Sequence, residues 1–209
     1  IVFMGSPEFA VDTLAALHKE GKHELLAVVT QPDRPKGRGR KILTTAVKDY
    51  SLQAALPVLQ PEKVRSPEFI AQLQALRPDV IVVVAFGQLL PREILELPRF
   101  GCLNVHASLL PKYRGAAPIH YAIMRGEAES GVTVMQMDEG MDTGAMLAKH
   151  TVSITQDMTM GDLHDILKTK GADLLLEVLG EIEKNIAAAV AQNNSEATYA
   201  ALLTKEIEI

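Results

Sequence analysis

Asp79-Val80-Ile81-Val82-Val83-Val84-Ala85 is the stretch on which the fold turns. It is an unbroken, largely β-branched apolar run with no polar residue interleaved. A strand exposed on one face alternates apolar and polar side chains. A strand covered on both faces by crossover helices does not, so this run predicts a central strand of a parallel sheet. Outward from it, apolar runs alternate with helix-like periodicity. Upstream, Ile1–Met4 and Leu25–Thr30 read as strands, and Glu8–Lys19 carries Phe9, Leu14 and Leu17 at roughly helical spacing. Thr44–Ala55 and Ser66–Leu76 read as helices, the second opening on Ser-Pro-Glu with Phe69, Ile70 and Leu73 on one side. Downstream, Cys102–Val105, Gly131–Met137 and Ala145–Ser153 read as strands. Ala117–Arg125 reads as a helix, and Thr159–Lys184 as a helix broken or weakened near Gly171. This alternation predicts an α/β fold, a doubly wound, mostly parallel sheet with helices on both faces. No internal repeat or low-complexity tract interrupts it.

The composition narrows the function classes. A chain of 209 residues with 47% apolar and 22% charged residues suits one large domain with an ample core. Its formal net charge of −5 offers no global attraction to nucleic acid, so any contact with RNA has to be local. The lone Cys, Cys102, excludes an internal disulfide framework and Cys-rich zinc ribbons, and fits a reducing compartment. No apolar run reaches the length of a membrane span. The chain opens inside an apolar strand without an initiator Met, and stops at Glu208-Ile209 without a closing structural signal. A longer natural chain is expected at both ends.

In sheets of this kind ligands sit beyond the carboxyl ends of the strands, and Gly5, Thr30, Gly87 and His106 all follow predicted strands at that edge. The most chemically informative stretch is Asn104-Val105-His106, at a strand end before a loop containing Pro111 and Gly115. Side chains two apart on a strand share a face, so the amide and the imidazole emerge side by side, about 7 Å apart along the backbone. That pairing suits acyl transfer: the amide donates to a developing oxyanion while the imidazole moves a proton. Asp142, in the turn-rich Met137-Asp138-Glu139-Gly140-Met141-Asp142-Thr143-Gly144, is the candidate carboxylate to orient the ring, although spacing alone does not bring the two together.

Other motifs are weaker. Gly5-Ser6-Pro7-Glu8 lacks the glycines of a dinucleotide fingerprint, and Gly37-Arg38-Gly39-Arg40-Lys41 lacks the Gly-Lys-Ser/Thr end of a phosphate-binding loop, which argues against NAD and ATP. Arg34, Lys36, Arg38, Arg40 and Lys41 place five cations in eight residues, and composition alone fits either a solvated loop or one that neutralises RNA phosphates. Phe86-Gly87-Gln88-Leu89-Leu90-Pro91 follows the central strand and can be an ordinary strand-to-helix connection. Cys102 stands four strand residues from His106, about 13 Å and beyond hydrogen-bond reach, so a buried structural thiol is expected. The other histidines, His18, His23, His120, His150 and His164, show no metal-ligand spacing, and no metal is expected. His164 is expected to pack with Leu163, Ile166 and Leu167 of its helix.

The stretch Asn104 to Glu127, with Ser108-Leu109-Leu110-Pro111 and Arg114-Gly115-Ala116-Ala117-Pro118-Ile119, resembles the signature of folate-dependent formyltransferases. Phe3 to Ala10, Val82 to Gly87, Met135 to Asp138 and above all Thr30 to Gly39 resemble the members acting on methionyl-tRNA. The resemblance runs from residue 1 to about 205 and departs from the usual pattern at Ala107, where Gly is frequent. It implies a Rossmann-like formyltransferase fold over 1–187, with 188–209 as a linker toward a C-terminal domain outside this chain. It implies 10-formyltetrahydrofolate as co-substrate and the α-amino group of initiator methionyl-tRNA as acceptor. Catalysis would rest with Asn104, His106 and Asp142. The folate would lie against Phe86, Gly87, Gln88 and Leu89 and against Ser108, Leu109, Leu110 and Pro111, and the five cations would contact the tRNA. A cytoplasmic monomer without membrane, metal or obligate protein partner is expected. A formyltransferase for a sugar-nucleotide or glycinamide ribonucleotide amine, or a formyltetrahydrofolate hydrolase, would share the three catalytic residues. A non-catalytic folate- or RNA-binding module is the alternative from another class.

Overall fold

The apolar run at Asp79–Ala85 forms a buried strand at Ile81–Val84, hydrogen-bonded between two parallel neighbours. The computed structural model describes residues 1–36 and 41–204. In strand order the chain forms one mostly parallel, seven-stranded sheet flanked by helices, as expected, with a separate two-stranded hairpin. The chain divides into two compact units, Ile1–Asn104 and Val105–Ile209.

In the first unit, β1 (Val2–Gly5) leads into α1 (Glu8–Glu20), then β2 (Ala27–Val29), the hairpin strands β3 (Arg34–Lys36) and β4 (Lys41–Leu43), and α2 (Ala46–Gln53). A short β5 (Val58–Leu59), α3 (Pro67–Leu76), β6 (Ile81–Val84), α4 (Arg92–Leu95) and the start of β7 (Cys102–His106) complete it. The parallel order is β5-β2-β1-β6-β7, with Val2 opposite both Ala27 and Ile81, and Ile81 opposite Cys102. Every residue of β1, β2, β6 and β7 is buried, which explains their lack of alternation. Local signals set the helix ends. Ser66 accepts from the Phe69 amide ahead of Pro67 in α3, Thr45 accepts from the Lys48 amide in α2, and α1 stops at left-handed Gly21. Gly5 has a packing reason rather than a nucleotide-binding one. A Cβ there would stand 2.8 Å from the Ala10 Cβ and 2.9 Å from the Val84 carbonyl oxygen.

In the second unit, the end of β7 is followed by α5 (Pro118–Met124), β8 (Glu129–Gln136), β9 (Met146–Ser153), α6 (Met160–Gly180) and α7 (Ile182–Ala187). β8 and β9 pair antiparallel from Glu129–Ser153 to Met135–Met146, so the Asp142 turn is a hairpin turn. A capping box of Thr159 and Asp162 starts α6.

The structure corrects several local expectations. α6 runs unbroken through Gly171 and ends at Gly180. Gly171 does not weaken the helix but lets it approach β-structure, since a Cβ there would meet Val105 Cγ1 at 2.8 Å. On the same helix Leu163 and Leu167 are buried, and His164 is half-buried. Its side chain is 26% exposed, with Nδ1 3.1 Å from Asp165. The basic stretch, expected to be a loop, places Arg34–Lys36 and Lys41–Leu43 in a two-stranded hairpin. Arg38 and Arg40 lie outside the described residues. The segment beyond α7 is tied to the second unit as far as Ala200. Val190 exchanges backbone hydrogen bonds with Met146, and Ala200 donates to the Arg114 carbonyl.

Candidate active site

In the first unit, the candidate surface forms where β6 ends. Ala85 and Gly87 both take positive φ, 46° and 85°, which turns the chain sharply after the strand. Phe86 is buried, Leu89 is 61% exposed, and Gln88 is half-buried. A set of side-chain amides holds this turn. Gln31 Nε2 donates to the Phe86 carbonyl at 3.0 Å, Gln88 Nε2 donates to Gln31 Oε1 at 3.3 Å, and the Val64 amide donates to Gln88 Oε1 at 3.1 Å. Gln60 Nε2 continues the set to the Gln31 carbonyl and to Asp33 Oδ1. Lys48 beside Asp33, 2.5 Å away, and then Gln60 hold its carboxyl below the usual value. Asp33 directly precedes β3, so the base of the basic hairpin and the turn after β6 share one hydrogen-bonded set. On the hairpin, Arg34 is exposed and only 3.5 Å from the equally exposed Glu62, a pair that solvent screens. Lys36 and Lys41 are backbone partners in its register.

Asn104 ends the first unit, buried and opposite Val83. Cys102 is fully buried on the same strand, and burial pushes its thiol up to about 12. A thiolate nucleophile is therefore excluded at neutral pH.

In the second unit, His106 at the end of β7 is 7% exposed. Its Nε2 lies 2.9 Å from the Tyr113 carbonyl. A carbonyl only accepts, so Nε2 carries the hydrogen, and in the neutral ring Nδ1 bears the lone pair. Nδ1 faces Asp142 Oδ2 at 3.7 Å, outside direct hydrogen-bond range but close enough to pair with a protonated ring. Asp142 is 15% exposed and takes φ 53°. Its Oδ2 accepts from the Gly115 amide at 2.8 Å. Sequence reasoning misses Tyr113 and Gly115 as parts of the site, because a backbone carbonyl and a backbone amide leave no side-chain signature.

The Ser108–Pro111 turn is fixed from within the unit. Ser108 Oγ donates to the Lys112 carbonyl, Thr133 Oγ1 donates to the Ser108 carbonyl, and the Leu110 amide donates to Thr133 Oγ1. Lys149 Nζ donates to the Leu110 carbonyl, and burial holds its ammonium below the usual value against the opposing pull of Glu196. The Leu110-Pro111 bond is cis. Tyr113 OH donates to Glu127, and Arg125 lies 5.2 Å over the ring centres of both Tyr113 and Tyr121. An imidazole with one nitrogen committed and the other beside a carboxylate can take up a proton and have the new charge compensated.

The formyl transferase family model matches residues 1–179. The chain belongs to the formyl transferase family. Its relatives of high similarity are methionyl-tRNA formyltransferases. That of Caldanaerobacter subterraneus subsp. tengcongensis is 53% identical over 208 residues, covering 99% of this chain and 67% of that protein. That of Acetivibrio thermocellus is 51% identical over 207 residues, covering 99% of this chain and 66% of that protein. The chain thus spans about two thirds of the length of these relatives. Among solved structures, an N-formyltransferase from Helicobacter canadensis in complex with folinic acid and dTDP-3-aminofucose aligns with a TM-score of 0.68 at 24% identity, covering 96% of this chain and 70% of that one. Phosphoribosylglycinamide formyltransferase from Streptococcus pneumoniae aligns with a TM-score of 0.71 at 18% identity, covering 87% and 97%. At these identities the structural likeness speaks for the fold alone.

Proposed function

We propose that this chain carries the formyl-transfer chemistry of a methionyl-tRNA formyltransferase, moving the formyl group of 10-formyltetrahydrofolate onto the α-amino group of initiator methionyl-tRNA. The single observation that carries this reading is the similarity along the whole of this chain, at 51–53% identity, to relatives of that name. The pairing of His106 Nδ1 with Asp142 supports it.

The neutral amine attacks the formyl carbon, the carbonyl electrons move onto oxygen, and the Asn104 amide donates to that oxyanion. The attacking nitrogen, now cationic, gives a proton to Nδ1 of His106, whose other nitrogen is committed to the Tyr113 carbonyl. Asp142 compensates the charge of the protonated ring. The intermediate collapses by breaking the bond from the formyl carbon to N10 of the folate, and N10 takes the proton held by His106, which returns the ring to its neutral form. One N–H proton of the amine is exchanged for the formyl group, so no covalent enzyme intermediate is required.

In this reading Phe86, Gly87, Gln88 and Leu89 offer backbone groups and apolar surface to the flat pterin, with Ser108, Leu109, Leu110 and Pro111 shaping the folate side. Arg34, Lys36 and Lys41, with Arg38 and Arg40 outside the described residues, would neutralise tRNA phosphates. We read residues 1–187 as the formyl-transfer domain and 188–209 as the passage toward the remaining third of the relatives' length.

Formyl transfer by the full-length chain to charged initiator and charged elongator methionine tRNA tests the substrate. Strong preference for the initiator is expected. Inactivity on both, with activity on a sugar-nucleotide amine, would replace this reading by the sugar formyltransferase.

A further inference from the structure

The segment after α7 packs back onto the second unit. Gln192, 50 residues beyond Asp142, sits with every hydrogen-bonding position of its carboxamide occupied. Its Oε1 accepts from Arg114 Nε at 3.0 Å and from Arg114 Nη2 at 2.8 Å. Its Nε2 donates at 2.8 Å to the backbone carbonyl of Asp142 and at 2.8 Å to that of Gly144. The orientation of the amide follows from these partners: a flipped amide would set N–H groups against a guanidinium and oxygen against two carbonyls. Arg114 is 2% exposed, and its Nη2 also donates to Asn194 Oδ1, from the same segment.

The turn under this clamp has no slack. Asp142 takes φ 53°, and a Cβ on Gly144 would stand 1.8 Å from the Gln136 carbonyl oxygen. The carboxylate end is set by the same stretch of chain. The amide that holds Asp142 Oδ2 belongs to Gly115, at φ 112°, where a Cβ would stand 2.7 Å from the Ala200 carbonyl oxygen. Arg114, next to it, exchanges backbone hydrogen bonds with Thr198 and Ala200. The stretch Val190–Ala200 therefore determines both where the backbone of Asp142 lies and where its carboxylate is held.

We propose that Gln192 is a positioning residue for formyl transfer, and that Val190–Ala200 is a strap that sets Asp142 against Nδ1 of His106. The inference rests on the reading of Asp142 as the acid that supports His106. The arrangement lets the strap control the proton-transfer step through Gln192, whose own hydrogen bonds end on Arg114 and on the Asp142 turn and on no residue placed against the folate.

The test is a cycle in the full-length chain with Gln192→Glu, Gln192→Ala, Asp142→Asn and the double variant Asp142→Asn/Gln192→Glu. Gln192→Glu keeps an oxygen pair for Arg114, so the buried guanidinium stays paired and the fold survives, while both donors to the Asp142 turn are lost. Misplacement of a supporting group lowers turnover by about 10- to 100-fold. That loss in kcat, with KM for 10-formyltetrahydrofolate unchanged, is expected for Gln192→Glu. Its pH–rate profile should shift relative to the wild type, a change that loss of fold stability alone does not produce. In the Asp142→Asn background Gln192→Glu should cost nothing further. Near-wild-type kcat for Gln192→Glu alongside a large loss in Asp142→Asn overturns the strap and leaves the catalytic reading standing. Losses that multiply in the double variant overturn it too, because Gln192 would then act elsewhere. Near-wild-type activity of Asp142→Asn instead overturns the reading of the acid itself. Should Gln192→Ala melt far below the other variants, Gln192→Glu alone decides between these outcomes.

Discussion

Two turns carry the proposed chemistry, and they are held by different means. The turn after β6, Phe86–Gln88, is gripped by side chains: Gln31 donates to the Phe86 carbonyl and accepts from Gln88, and Gln60 carries the set on to Asp33. The turn between β8 and β9 is gripped largely through backbone groups: the Gly115 amide on the Asp142 carboxylate, and the Asp142 and Gly144 carbonyls on Gln192. A surface that receives a flat ring tolerates adjustment by flexible amides. A carboxylate that must stand opposite one ring nitrogen is held instead by a backbone amide and by a glutamine whose oxygen is itself fixed by the buried Arg114, which leaves fewer ways to move. The contrast predicts that the first turn, when damaged, loses binding, and the second loses turnover.

The largest effect belongs to His106 itself. His106→Ala should lower kcat by about 10²–10⁴ while folate binding, measured by calorimetry on the same sample, is retained. Asn104→Ala should cost about 10²–10³ in kcat. Comparable losses in folate affinity for either variant would erase the contrast between the turns.

Gly115→Ala tests the second turn through its backbone. A side chain at φ 112° beside the Ala200 carbonyl is strained by about 1–3 kcal/mol, to be read as a lower denaturant midpoint with an unchanged m-value. Turnover should fall with it, because the amide that holds Asp142 moves. Gln31→Ala tests the first turn. The Phe86 carbonyl loses its donor, a cost of about 1–3 kcal/mol, and KM for the formyl donor should rise about tenfold with kcat nearly constant. A drop in kcat at constant KM would show that the first turn is part of the proton-transfer machinery.

The smallest effect is expected at the hairpin. Arg34→Ala should reduce the slope of log affinity for tRNA against log salt by about 1, in proportion to one lost phosphate contact. An unchanged slope would return Arg34 to the solvated, Glu62-paired state in which the structure holds it.

The parts of the fold legible in the sequence are those governed by short-range rules. The run at Ile81–Val84 announces a doubly covered strand because parallel sheets bury both faces, and Ser66-Pro67 announces a helix start because a hydroxyl cap and a proline suit the first turn. The two-residue strand β5 is too short to leave a period. Gly171 reads as a weak point because glycine costs helix stability, yet a long-range contact with Val105 decides its role. At the site, Asn104 and His106 are legible because strand geometry puts alternate residues on one face. Asp142 stands out as a candidate partner, but only the fold places it, 3.7 Å from Nδ1. Gln192 is invisible in the sequence, since nothing within ten residues of it indicates a partner 50 positions upstream.

The proposed proton transfer depends on which nitrogen of His106 is committed to the protein and which is available to the reaction. Two-bond proton–nitrogen correlation spectra of the ¹⁵N-labelled protein, taken where the ring is neutral, read this directly. The geometry predicts that Nε2 carries the hydrogen, bonded to the Tyr113 carbonyl, and that Nδ1 is bare and faces Asp142. A neutral ring with its hydrogen on Nδ1 would contradict that mechanism, because the nitrogen assigned to take the amine's proton would already be occupied.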